Sequence, residues 1–121
     1  MIKIYVDEAY AFDYYSILNL KFNNGYISEK IITDCKIDLV NQVGGDLFLN
    51  ITQSDEYNNL LKANQLTFDA VDKAKTDDVL ASYVDECNYG RMLAKKSLQE
   101  KFFTTTLTET KIGYEKLKIN E

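Results

Sequence analysis

Arg91, the only arginine among 121 residues, stands where a hydrophobic side chain belongs. At three- and four-residue steps, Leu80, Val84, Cys87, Ala94, Leu98 and Phe102 form a helical stripe, and Arg91 interrupts it between Cys87 and Ala94. Asn64 interrupts a second stripe of Tyr57, Leu60, Leu61, Phe68 and Val71 in the same way. With the two helices laid antiparallel around a turn near Thr76, residues equidistant from the turn share a height. Asn64 then falls level with Asn88 and Tyr89, with Arg91 about one turn away at about 1.5 Å per residue. Asn88, Arg91 and Lys95 make one polar ridge, so Asn64, Asn88, Arg91 and Lys95 outline a cationic notch suited to a small anionic ligand such as a nucleotide or nucleotide-sugar. The plainer reading is structural. A buried guanidinium without a partner is very costly. Arg91 is therefore expected to be at least half buried and bonded to a carboxylate from Asp13, Asp69, Asp72 or Glu109, in a polar network that also includes Lys111.

Weaker constellations surround this one. Asp69 and Asp72 with Asp85 and Glu86 place carboxylates on neighbouring helices, but a solvated charged face explains that spacing and no metal site is assigned. Tyr5, Tyr10, Tyr14 and Tyr15 are able to stack on a base or sugar; in so apolar a segment they are expected in the core. Ser16, Ser28, Ser54 and Thr104 to Thr106 have no base beside them to act as nucleophiles. No catalytic residue and no cofactor are assigned.

The elements that must position these groups are legible from periodicity and punctuation. With no proline and five glycines, the chain favours long helices. Met1 to Val6 alternates in the manner of a short strand. Asp7 is placed to cap a helix over 8–22 that is apolar nearly all round, hence central, and Asn23-Asn24-Gly25 ends it. Ser28 opens a helix to about Val43, closed by Gly44-Gly45, and 46–53 is read as a short helix. Ser54 or Asp55 opens a helix to Lys75, and Asp77 opens another to about Phe103, together a long hairpin. From 111 to 119 an extended tail is placed to pair with the first strand as a small β ribbon. The fold class is a mainly α single domain over 1–121.

Bulk properties narrow the function classes. The chain has 13.9 kDa, 45% hydrophobic and 27% charged residues, a soluble globular composition. A net charge of −5 disfavours nucleic acid and anionic lipid, and no apolar run approaches a membrane span. Without histidine and with only Cys35 and Cys87, His-assisted nucleophiles and zinc cages are excluded. Reduced thiols and no visible secretory signal predict a cytoplasmic protein. Thirteen lysines against one arginine, with ten asparagines, suggest A/T-rich coding of bacterial or bacteriophage provenance.

These polar positions carry a resemblance. Asp13-Tyr14-Tyr15-Ser16-Ile17-Leu18-Asn19-Leu20-Lys21, then Asn64 with Phe68-Asp69, then Asn88, Arg91 and Lys95, and finally Glu109-Thr110-Lys111 with Tyr114, resemble an uncharacterised family of small helical proteins of bacteria and phages. That family shows Asp-Lys-Leu-Thr/Ser-Ile-Leu-x-Ile-Lys, a middle Asn before Leu-Trp/Phe-Asp, Asn-x-x-Arg-x-x-x-Lys and a closing Glu-x-Lys-x-Tyr. The chain departs from it at Tyr14 and in the spacing of the last tyrosine. The resemblance marks Asp13, Lys21, Asn64, Arg91, Lys95, Glu109 and Lys111 as a set and implies no reaction. The expected function is a non-enzymatic accessory or protein-interaction protein, compatible with a homodimer, with a small-anion binder as the alternative.

Overall fold

The computed structural model describes residues 1–76 and 79–103. They form five helices: α1 (Glu8–Asn23), α2 (Glu29–Val43), α3 (Gly45–Thr52), α4 (Asp55–Ala74) and α5 (Ala81–Phe102). The architecture is a mainly α bundle. α4 and α5 pack against each other along the hairpin, and α1 touches α2, α4 and α5, which explains why so few of its positions are polar. α3 bridges α2 to α4.

Local chemistry sets the boundaries. Gly25 and Gly44 adopt φ of 78° and 90°, a left-handed backbone that ends α1 and α2 at little steric cost. At the start of α4, the Ser54 hydroxyl accepts from the Tyr57 amide at 3.1 Å and donates to the Ile51 carbonyl at 2.6 Å, locking the α3 to α4 corner. Asp7 is the N-cap residue of α1, yet its side chain makes no capping bond there. The cap comes from far along the chain. Gln99 of α5, 3% exposed, accepts from the Ala9 amide at 2.8 Å through Oε1 and donates to Glu8 at 2.9 Å through Nε2.

The core is where the aromatic side chains of three helices meet. Phe12, Tyr15, Phe48 and Tyr57 have ring centroids 5.6 to 6.5 Å apart, mostly tilted or edge-on, surrounded by Leu39, Ile51, Leu60 and Leu98. The Tyr57 hydroxyl is buried without a hydrogen-bond partner among the described residues. Burial pushes its pKa well above the ordinary phenol value, and the Asn19 amide lies near enough to offset part of this without reaching bonding geometry. A phenol harder to ionise in the folded than in the unfolded chain binds its proton more tightly when folded, so stability should fall as pH rises past about 10. Tyr57→Phe is expected to stabilise the fold by about 1 kcal/mol, because the orphaned hydroxyl is removed. It should also flatten the alkaline limb of a denaturation series; a loss of stability would show that the hydroxyl is bonded.

Several sequence expectations need correction. Among the described residues there is no strand: Met1 to Val6 makes no ladder, with Ile2 89% and Ile4 74% exposed, because an isolated strand leaves its backbone groups to water. The tail expected to pair with it lies outside the described residues, as does Asp77. Leu80 immediately precedes α5, is 76% exposed and stands outside the seam; Val71 also faces out. Of the four N-terminal tyrosines only Tyr15 is core, while Tyr5, Tyr10 and Tyr14 are exposed. Both cysteines are free, and burial with the nearby Asp38 raises the pKa of the Cys35 thiol, which disfavours its thiolate.

Candidate functional site

Asp13 lies on the side of α1 that faces the hairpin and is 3% exposed. One carboxylate oxygen, Oδ2, accepts from Arg91 Nη2 at 2.8 Å, and the other, Oδ1, accepts from Asn64 Nδ2 at 2.9 Å and more distantly from Arg91 Nε at 3.4 Å. Asn64 Nδ2 also donates to Ser16 Oγ at 2.6 Å, and Ser16 Oγ donates to the Asp13 backbone carbonyl at 2.7 Å. The four residues therefore form a closed network joining α1, α4 and α5. Because a carboxylate only accepts, it fixes the Asn64 amide with nitrogen toward Asp13 and oxygen away.

This is the partner Arg91 requires. Its side chain is 31% exposed, and the charge it brings into the bundle is compensated at hydrogen-bond distance. The contact belongs to a longer seam in which α1 runs antiparallel to α5. Glu8 and Ala9 meet Gln99, Tyr10 meets Lys95, whose ammonium stands 4.7 Å from the ring centroid, and Asp13 meets Arg91.

The remaining sequence candidates are dispersed. Asp69 accepts from Gln65 one turn back and Asp72 lies 3.6 Å from Lys75, both on exposed surface and neither reaching Arg91. At about 100° per residue, Asp69 points about 140° and Asp72 about 80° from Asn64, outside the arc that faces α1. Asn88 donates to the Val84 carbonyl of its own helix at 3.2 Å, so it does not complete a notch with Asn64. Glu109 and Lys111 lie outside the described residues. Sequence reasoning missed Ser16 and Gln99 as network members. Gln99 follows Lys95 at i+4, continuing the polar ridge, and that spacing is the signal that was available.

Beside the network is a cleft of about 150 Å³ lined by Ile17, Leu20, Lys21, Asn64, Thr67, Phe68 and Arg91. It keeps Asn64 and Arg91 from the expected notch but replaces Asn88 and Lys95 with Lys21 and Thr67. Its volume is below the roughly 300 Å³ at which ligand pockets begin. A second cleft of about 340 Å³, bordered by Tyr15, Asn19, Lys36, Phe48, Thr52 and Tyr57, opens on the far side of α1. Among the described residues no three cysteine or acidic side chains gather in a metal-ligand group, and no helix is long and apolar enough to cross a membrane. Comparison with known protein families, with curated proteins and with solved structures gives no match to this chain.

Proposed function

We propose that this chain is a non-enzymatic interaction protein of bacterial or phage origin, working in the cytoplasm, and that it docks a protein partner on the face α1 and α5 present together. The observation carrying this reading is the exposure of Tyr10 and Tyr14, 42% and 55%, on the outer stripe of a helix whose other sides are buried. Tyrosine supplies large amphipathic contact area with little rotamer entropy to lose, and it is enriched where partners bind. Lys95 over the Tyr10 ring and Lys21 at i+7 from Tyr14 give this stripe a basic character within a chain of net charge −5. An acidic partner surface, including that of a second copy, fits it. The Asp13 network is the internal staple that holds α1 in register beneath the face. Its polar groups bond to one another, which is the behaviour of a structural device.

The test places a photoreactive phenylalanine analogue at Tyr14 and exposes cells making the full chain. A single dominant adduct is expected, with its mass separating a homodimer from a foreign partner. The adduct should vanish in Tyr10→Glu at unchanged helical circular dichroism and weaken with added salt. Absence of an adduct, or one indifferent to Tyr10→Glu, would overturn the reading.

A further inference from the structure

The cleft beside the network has a donor and acceptor pattern that the network itself leaves unused. Asn64 is 4% exposed, and both hydrogens of its Nδ2 are committed, at 2.9 Å to Asp13 and at 2.6 Å to Ser16. Its Oδ1, turned away from Asp13, has no donor among the described residues, although Asn64 forms part of the cleft wall. Thr67, 8% exposed, donates its hydroxyl hydrogen to the Ala63 carbonyl at 2.8 Å and keeps its lone pairs. Arg91 uses Nε and one hydrogen of Nη2 on Asp13, which leaves the outer fork of Nη1 and Nη2 without a partner among the described residues. Lys21 stands at the rim. Two cations against the one Asp13 carboxylate give the cleft a local charge of +1 at the surface of an acidic chain.

A planar fork beside an ammonium recognises an oxyanion, and acceptors on the cleft wall recognise a hydrogen-bond donor. At about 30 Å³ per water-sized group, the cleft holds about five such groups. We propose that the cleft between α1, α4 and α5 is a binding site for a small oxyanion that carries its own hydroxyl, such as a short hydroxycarboxylate or a hydrogen phosphate group. The oxyanion lies on the outer fork of Arg91 and on Lys21, and the hydroxyl donates to Asn64 Oδ1 or Thr67 Oγ. Ile17, Leu20 and Phe68 line the remaining walls. Asp13 holds the guanidinium in place before the ligand arrives, which reduces the ordering that binding must supply. The cleft contains neither Tyr10 nor Tyr14 but shares Lys21 with the tyrosine face.

The test is a nuclear magnetic resonance titration of the full chain at constant ionic strength, reading the Asn64 side-chain amide and the Arg91 Nε resonance. Glycolate and inorganic phosphate are the two hydroxyl-bearing probes and separate the carboxylate from the phosphate source. Acetate keeps the charge without the hydroxyl, and ethylene glycol the hydroxyl without the charge. Saturable shifts of both resonances are expected with glycolate or phosphate, about fivefold weaker binding with acetate for one lost hydrogen bond, and none with ethylene glycol. Lys21→Ala, a surface change that leaves the bundle intact, should weaken glycolate or phosphate binding about threefold. Absence of saturable shifts with both hydroxyl-bearing probes, equal binding of acetate and glycolate, or no effect of Lys21→Ala would each overturn the proposal.

Discussion

Arg91→Ala is expected to destabilise the protein by about 3–5 kcal/mol, the scale for stripping one partner from a buried ion pair. The variant leaves the Asp13 carboxylate, 3% exposed, with Asn64 as its remaining side-chain donor. Its desolvation is then largely uncompensated. Arg91→Lys keeps the charge and loses the planar fork, so one hydrogen bond on Asp13 is lost and about 1–2 kcal/mol with it. Asp69→Ala and Asp72→Ala, by contrast, should stay within about 0.5 kcal/mol, since both carboxylates are on exposed surface. Urea unfolding followed by circular dichroism measures all four. A double-mutant cycle between Asp13→Ala and Arg91→Ala should return a coupling above about 1 kcal/mol. A cost for Arg91→Ala below about 1 kcal/mol would place the pair with ordinary surface ion pairs and remove the staple from the account of the fold.

Phe12→Ala is expected to cost a similar amount, about 3–5 kcal/mol, through a different mechanism. Phe12 is 0% exposed, and its ring centroid lies 6.0 Å from that of Phe48 and 6.4 Å from that of Tyr57. Truncation removes the transfer free energy of the ring and leaves a void that α1, α3 and α4 can close only partly. Domains of this kind have about 5–15 kcal/mol in total, so the variant should lie near the edge of folding, with its thermal midpoint lowered by more than about 10 °C. Tyr14→Ala, two residues along on the exposed stripe, should be nearly silent. Equal midpoints for Phe12→Ala and wild type in a calorimetric scan would mean that the aromatic cluster is not the core.

Much of the architecture was legible before any coordinates. Asp7, Gly25, Gly44 and Ser54 mark the ends of the elements, and three- and four-residue periodicity between them identifies helices because backbone hydrogen bonding and punctuation are local. The short helix read over 46–53 is present as Gly45–Thr52, with Gly44 as its N-cap residue and Asp46 in its first turn. The long hairpin followed from the same signals, because two amphipathic helices on a short connection have one natural way to cover their apolar sides. Less of the candidate site was legible. The sequence singles out Arg91 and Asn64 as polar residues in apolar stripes, but four carboxylates were equally eligible as partners.

Only tertiary packing chose among them. Whether Asp13 meets Arg91 depends on how α1 rolls against the hairpin, and a rotation of a few tens of degrees would carry it away from the guanidinium without altering any local pattern. The same roll exposes Tyr10 and Tyr14 while burying Tyr15, although all three carry the same propensity. It brings Gln99 onto Ala9 across ninety positions of sequence, a cap that no nearby residue announces. The sequence by itself determined where the helices lie and which two polar residues are out of place within them. The three-dimensional arrangement determined their partners, since burial and ion pairing depend on distances between segments that nothing in the local chain encodes.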